Sequence, residues 1–218
     1  MPRPKSQRRR ARPLIQAERR ELLLHSAIRV FARRGLGSAR HAEIAREAEV
    51  SIPTVFFYFP TREVLVASVL EEVARFFSTI TDRIHDSSRD APSLIAKHVH
   101  AFLDTIRTHP DHVRILLEWS TALREEIWPL FVQFQDRNLK VVAETIRRWR
   151  KEIGAGDRVE SAEEDARVVG ATGYMLAQMK LAAVPQDQID RLLQTMLRSA
   201  LGEASRKKMR LADVVRID

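Results

Sequence analysis

Apolar residues recur at spacings of three and four along most of this chain, which is the period of one face of an α-helix. Within 18–34 they predict a first amphipathic helix, with a face formed by Leu22, Leu23, Ala27, Ile28, Val30 and Phe31. This segment ends in RRGLG, where basic residues suit a helix C-terminus and Gly35 suits a left-handed cap. The pattern predicts helix nearly throughout.

Two short helices are predicted next. HAEIAREAEV (41–50) has a contact face of small apolar residues, and its last three residues, AEV, form a turn. SIPTVFFYFPTRE (51–63) begins with Ser51, which can cap a helix, and with Pro53, which the first turn of a helix tolerates. Two short helices joined by a three-residue turn are typical of a helix-turn-helix unit, whose second helix enters the major groove.

The second of these helices is unusually aromatic. Its inward face is predicted to hold Val55, Phe56 and Phe59. Aromatic and β-branched residues also favour strands, but no partner strand is visible elsewhere, so a helix is the better interpretation.

A larger helical region follows, with helices predicted over 62–84, 92–107 and 129–153, a shorter one between the last two, and two more to the end of the chain. The last two helices are so apolar that we expect them to form a dimer interface across a twofold axis. The predicted fold is therefore all-α, with a flexible basic arm at 1–12, three short helices at 13–62 that include the helix-turn-helix DNA-binding unit, and a larger helical domain at 63–218 that contains the expected dimerisation helices.

Composition narrows the class of protein. The chain has 218 residues, of which 44% are hydrophobic and 30% charged, as expected of a globular protein. It has no cysteine, which excludes disulfides, thiolate metal sites and thiol nucleophiles. No run approaches the roughly 18 apolar residues of a membrane span, and no apolar segment follows the basic N-terminus as in a signal peptide. We expect a cytoplasmic protein with no membrane partner.

Positive charge is concentrated at the N-terminus. Residues 1–12 contain six basic residues and no acidic one, so the rest of the chain carries only +2 of the total +8. A basic arm of this kind is attracted to polyanions such as nucleic acid. A solubilising tail and a nuclear-localisation patch are the other interpretations.

Four features occur together: the basic arm, an amphipathic helix, the turn, and a long helix that begins after FPTRE. Together they resemble the DNA-binding domain of the TetR family of transcriptional regulators. FARRGLGSARHAEIAREAEVSIPTVFFYFPTREVLV and EWSTALREEIWPLFV are similar to the vibrio quorum-sensing master regulators of the LuxR/HapR/SmcR type. The likeness runs from about residue 8 to residue 202 and is strong in these two stretches. It implies a homodimer that binds double-stranded DNA at a pseudo-palindromic operator.

The resemblance also implies roles for individual residues. The family's minor-groove arm is matched by Arg10 and Arg12, and a flexible arginine arm suits a narrow, electronegative minor groove. Family positions that contact DNA phosphates are matched by Thr54 and Tyr58. The hydroxyl and backbone N–H of Ser51 can add a phosphate contact. Arg62 is expected to add one more.

Phe57 departs from the vibrio pattern, which has an asparagine in VFNYF at this position. Asparagine can hydrogen-bond to a base edge, whereas phenylalanine can make only apolar contact, for example with a thymine methyl group. This predicts a degenerate, A·T-leaning site that is read partly through DNA shape. The alternative is that Phe57 packs inside the domain.

The larger domain of this family often contains a ligand pocket. The matching positions are Phe77, Ile80, Trp119 and Asn138, which suit a small, mostly apolar ligand oriented by one polar group. The alternative is that these residues form only core, and a ligand is not assured.

No cofactor, metal or catalytic site is expected. The pairs His98 with His100 and His109 with His112 lack an evident third ligand, and the chain contains no nucleotide-binding or hydrolase motif. An enzyme is therefore the most remote class. Two alternatives remain: a local, ligand-responsive repressor of an efflux or metabolic operon, and a helical interaction protein whose basic arm binds acidic partners or a membrane surface.

Overall fold

The computed structural model describes residues 15–85, 90–123, 125–154 and 159–201, apart from the side chains of 159–161. Within these ranges the chain forms nine helices and no strand, which confirms the all-α fold class. The helices are α1 Gln16–Arg34, α2 His41–Glu47, α3 Ile52–Tyr58, α4 Arg62–His85, α5 Ala91–Thr108, α6 Pro110–Trp119, α7 Trp128–Glu152, α8 Val159–Leu181 and α9 Gln186–Leu201.

Local sequence sets the ends of the short helices. Gly35 ends α1 at φ 82°, and its N–H donates to the carbonyl of Phe31. Between α2 and α3 the chain turns through Glu49 at φ 54°, and the Val50 N–H donates to the Ala45 carbonyl at 2.9 Å. Ser51 caps α3 as the sequence predicts. The helix-turn-helix geometry therefore follows from its own turn chemistry.

The N-terminal core joins the helix-turn-helix unit to the helices that follow. Buried side chains of α1, α2, α3 and α4 pack with those of α6 and the start of α7. Val55 of α3 and Phe59, the residue that caps this helix, add two fully buried side chains to the core. Packing is thus continuous across residue 62, and the domain division proposed there stays a prediction.

The C-terminal core lies among α5, α7, α8 and α9. Gly170 allows α7 and α8 to approach closely, because a Cβ atom at this position would lie 3.1 Å from Leu139 Cδ2. The apolar face of α9 is buried within this core: Ile189, Leu193, Met196, Leu197, Ala200 and Leu201. That face is therefore covered without a second subunit. Among the described helices, none has the length and hydropathy to cross a bilayer.

Candidate DNA-binding surface and ligand cavity

Phe57 lies at the centre of the outward face of α3. A helix turns about 100° per residue, so Phe57 is about 200° from Val55, the buried residue of this helix, and from Phe59, the buried residue that caps it. Its side chain is 68% exposed. The alternative in which Phe57 packs inside the domain is therefore wrong.

Phe56 does not face inward as the sequence predicts. Its side chain is 46% exposed, and one face of its ring stacks on His41, with ring centroids 4.1 Å apart and planes at 4°. The prediction fails because Phe56 falls at the edge of the buried face, where an imidazole of α2 covers it. His41 also fastens the end of α3, because its Nε2–H donates to the Phe59 carbonyl at 2.8 Å.

A polar edge runs beside Phe57 and consists only of hydroxyl groups. Ser51 Oγ accepts a hydrogen bond from the Thr54 N–H at 3.3 Å, and the two hydroxyl oxygens lie 2.8 Å apart. Tyr58 is half-buried and meets the edge of the Phe57 ring, with centroids 5.0 Å apart. No side chain of α3 carries a charge.

Arg62 is engaged inside the protein. Its guanidinium donates to the Leu36 carbonyl at 2.6 Å, while the Leu36 N–H donates to Glu118 Oε1 at 2.8 Å. The loop between α1 and α2 is thus held by α4 on one side and α6 on the other. Sequence analysis missed Glu118, since no local pattern marks an acceptor 82 residues from its donor. Arg10 and Arg12 lie outside the described residues.

A cavity of about 110 Å³ lies between α4, α5, α7 and α8. Of the four predicted pocket residues, Phe77, Ile80 and Asn138 line it. Trp119 does not. Its buried indole N–H donates to the Ile127 carbonyl at 3.0 Å, and its ring packs against Phe131 and Phe134. Trp119 borders instead a separate groove between α4 and α7.

The cavity lining is uncharged, and one of its residues carries an unsatisfied acceptor. Asn138 Nδ2 donates to the Phe134 carbonyl at 2.7 Å and to Ser78 Oγ at 3.3 Å. Asn138 Oδ1 is buried without a hydrogen-bond partner among the described residues. The lining that the structure describes includes no Asp, Glu, Lys or Arg. Burial also raises the pKa of Tyr174 in this lining, so its hydroxyl stays neutral.

A pair of histidines extends from the cavity towards α7. His98 lines the cavity, and its Nδ1 lies 3.1 Å from His85 Nε2. The far ends of the pair contact threonines: His98 Nε2 lies 3.3 Å from Thr81 Oγ1, and His85 Nδ1 lies 2.9 Å from Thr145 Oγ1. Sequence analysis did not identify this pair.

Burial keeps both histidines neutral. It lowers the pKa of His98 to about 4. Burial lowers the pKa of His85 to about 3, and the neighbouring His98 and Arg148 act in the same direction. Among the described residues, no group of three or more His, Cys, Asp or Glu is arranged to hold a metal ion.

Exposed apolar side chains remain on α8. Val168 and Met175 are two turns apart on one side of this helix, and Met175 is 51% exposed. On α9, by contrast, the exposed residues are mostly polar.

Comparisons with known proteins place these features in a family. The model of "Bacterial regulatory proteins, tetR family" matches residues 23–69, from α1 into α4. LuxR of Vibrio harveyi, an HTH-type transcriptional regulator, is 41% identical over 129 residues. That match covers 59% of this chain and 63% of LuxR, less than two thirds of its length.

Solved structures share the fold over most of the chain. A putative transcriptional regulator from Saccharomonospora viridis, in complex with choline, is 25% identical with a TM-score of 0.69, covering 83% of this chain and 94% of that one. CifR, a TetR family regulator complexed with 26-base-pair operator DNA, is 18% identical with a TM-score of 0.69, covering 87% and 98%. The match at the helix-turn-helix, the similarity to LuxR and the shared fold agree: residues 23–69 match the tetR family of bacterial regulatory proteins, and the chain is similar to the LuxR type of regulator.

Proposed function

We propose that this protein is a transcriptional regulator that binds a pseudo-palindromic operator as a homodimer, with α3 of each subunit in the major groove. The observation that carries the proposal is the outward face of α3, which is exposed and firmly held. Val55 and Phe59 anchor the helix in the core, and His41 donates a hydrogen bond to the carbonyl of Phe59, the C-cap residue. The operator-bound relative CifR and the similarity to LuxR support the assignment.

The polar edge of α3 suits the DNA backbone. One hydroxyl hydrogen of Ser51 and Thr54 is used between their two oxygens, and the other is free to donate to a phosphate. Tyr58 has a hydroxyl at the same edge. Arg62 gives one N–H to Leu36, so its phosphate contact would use the remaining donors of its guanidinium. These contacts position the protein without specifying bases.

The basic arm would add to these contacts from the minor groove. We propose that Arg10 and Arg12 enter it beside each half-site, where a narrow groove concentrates negative potential. Most of the excess positive charge lies on this arm, so it should supply much of the salt-dependent affinity.

The dimer would form mainly through α8. Its exposed side carries Val168 and Met175, whereas the apolar face of α9 is already covered within the subunit. A Met175→Asp substitution would place a charge in a twofold contact, where each subunit meets its copy. Sedimentation equilibrium should then show monomers, while Leu123→Asp, at an exposed residue of the loop after α6, should leave the dimer intact. If the Met175→Asp protein is still dimeric, α8 does not form the interface.

A ligand would act through the cavity. Ligand pockets commonly measure about 300–1,000 Å³, and an apolar cavity of about 150 Å³ holds benzene. The 110 Å³ cavity therefore suits a neutral molecule of about four or five non-hydrogen atoms unless it expands. The ligand should be mostly apolar with one donor, such as a hydroxyl group, aimed at Asn138 Oδ1. Occupancy would shift the population between DNA-binding and non-binding arrangements.

The similarity to LuxR favours a quorum-sensing-type global regulator, and the cavity favours a ligand-responsive repressor of a nearby operon. Competition tests the DNA-binding function common to both. Labelled genomic fragments bound by the full chain are challenged with unlabelled fragments or with anionic phospholipid vesicles at about 0.15 M salt. If the protein is a regulator, only a subset of the unlabelled DNA sequences should displace the labelled fragments from it. Displacement by vesicles as readily as by DNA would instead favour an interaction protein.

A further inference from the structure

The outward face of α3 has an apolar centre where a DNA-reading helix usually carries amides or guanidinium groups. Phe57 occupies this centre, with a side chain that is 68% exposed. We propose that Phe57 reads the C5 methyl group of a pyrimidine in the major groove, so that the protein accepts 5-methylcytosine in place of thymine. The inference rests on the proposed DNA-binding function and specifies what that surface recognises.

The chemistry of α3 leaves few other means of telling bases apart. Bidentate recognition of guanine needs Arg or Lys, and that of adenine needs Asn or Gln. The α3 sequence IPTVFFY contains none of these residues. The hydroxyl groups of Ser51 and Thr54 already bond to each other at the edge of the helix. Apolar contact at Phe57 is thus the strongest base-discriminating interaction that α3 can offer.

A phenyl ring senses only part of what distinguishes thymine. In the major groove thymine presents the O4 acceptor and the C5 methyl group, whereas cytosine presents the N4 donor and a bare C5 position. Phenylalanine makes no hydrogen bond to O4 or N4, so the methyl group alone determines its contact. The methyl group of 5-methylcytosine occupies the same ring position as that of thymine. Phe57 should therefore treat these two bases alike and disfavour cytosine and uracil.

The ring is also positioned well enough to discriminate. Val55 and Phe59 fix the rotation of α3, because both are fully buried on the opposite face. The Tyr58 and Phe57 rings pack edge to face, and His41 donates to the carbonyl of Phe59, the residue that caps the helix. A held ring loses less conformational entropy when it buries a methyl group than a mobile side chain would.

Selection from a randomised duplex library identifies the contacted position. The full chain is incubated with the library and with a copy methylated at every CpG cytosine. We expect one position to be enriched in both half-sites. It should be enriched in T in the unmethylated library, and in T or CpG cytosine in the methylated library. Four defined duplexes are then compared by fluorescence anisotropy, with thymine, uracil, cytosine or 5-methylcytosine at that position in both half-sites.

Loss of one methyl contact should weaken binding about fourfold per half-site, and so about fifteenfold when both half-sites change. We expect thymine and 5-methylcytosine duplexes to bind within about twofold of each other, and uracil and cytosine duplexes to bind more weakly. Phe57→Ala should bring all four duplexes to similar affinity, and its exposure makes the substitution compatible with folding. Leu123→Ala, which removes another exposed apolar side chain far along the chain, should keep the wild-type order.

Two results would overturn the inference while leaving DNA binding intact. One is an enriched operator whose four duplexes bind equally. The other is a Phe57→Ala protein that still prefers the methylated bases. If neither library yields an enriched sequence, the proposed function fails and the inference fails with it.

Discussion

Acidification from pH 7.5 to pH 5.5 should destabilise the fold through His85 and His98. His85 is 4% exposed, and its ring contacts His98 at 3.1 Å and Thr145 at 2.9 Å. Burial lowers the pKa of His85 to about 3, helped by His98 and Arg148 and opposed by Asp82. Burial lowers the pKa of His98 to about 4. Both rings are therefore uncharged in the folded protein over this pH range.

The sign follows from proton binding. An unfolded histidine titrates near pKa 6.5, so between about pH 4 and 6.5 the unfolded chain binds more protons than the folded one. The stabilisation is fully present above pH 6.5 and is lost as the pH falls. Between pH 7.5 and 5.5 each histidine should account for about 1.4 kcal/mol, or about 2.7 kcal/mol for the pair.

Urea denaturation at the two pH values measures this difference. The wild type should lose at least about 2.7 kcal/mol of unfolding free energy, because the pKa values of His100 and His112 are also lowered by burial. A His85→Gln/His98→Gln double variant should lose correspondingly less between the same pH values, whatever its stability at pH 7.5. If the double variant keeps the full pH dependence, the histidine pair is not its source.

Four further predictions concern DNA binding and the internal contacts. Deleting residues 1–12 should weaken DNA binding and flatten the plot of log K against log salt by about 0.9 per lost phosphate contact; an unchanged slope would remove the arm from the mechanism. Tyr58→Phe should weaken anisotropy-measured binding to all DNA sequences alike, and a changed sequence preference would instead indicate base readout. Glu118→Ala should cost about 1 kcal/mol in urea unfolding, because the buried Leu36 N–H loses its acceptor, and Glu118→Gln should cost less. Asn138→Leu should change the stability of the ligand-free protein by less than about 1 kcal/mol in urea unfolding, because removal of an unpaired buried oxygen offsets the loss of the hydrogen bonds from Asn138 Nδ2 to Phe134 and Ser78; a much larger loss would show that the oxygen has a partner in solution.

Features set by neighbouring residues could be predicted from the sequence. The helical period gave the all-α class, and Ser51 and Gly35 marked helix ends that the structure confirms. The same period placed Phe57 opposite Val55 and Phe59. These predictions succeed because capping and helix rotation depend on residues only a few positions apart.

Features set by distant partners could not be predicted. Whether Phe56 is covered depends on His41, which a different helix supplies. Trp119 lies outside the cavity because its indole N–H finds the Ile127 carbonyl across a turn. The apolar face of α9 packs in the core of its own subunit, and the dimer contact expected of the last two helices stays a prediction. Periodicity identifies the apolar side of a helix and leaves open what packs against it.

Hydrogen bonds between residues far apart in the sequence could not be predicted for the same reason. Arg62 and Glu118 lie 26 and 82 residues from the Leu36 backbone groups that they bind. His85 meets Thr145 across 60 residues. The packing of α1 and α4 against α6, and of α4 against α7, brings these groups within hydrogen-bond distance.

Selection of genomic DNA fragments by the purified full chain, at about 0.15 M salt, tests the central claim most directly, because weak non-specific phosphate contacts are screened under these conditions. The account predicts enrichment of a pseudo-palindrome bound by two subunits. The number of enriched loci would distinguish a global regulator from a local repressor. Binding without sequence enrichment that disappears as salt rises would contradict the account and leave only a basic arm attracted to polyanions.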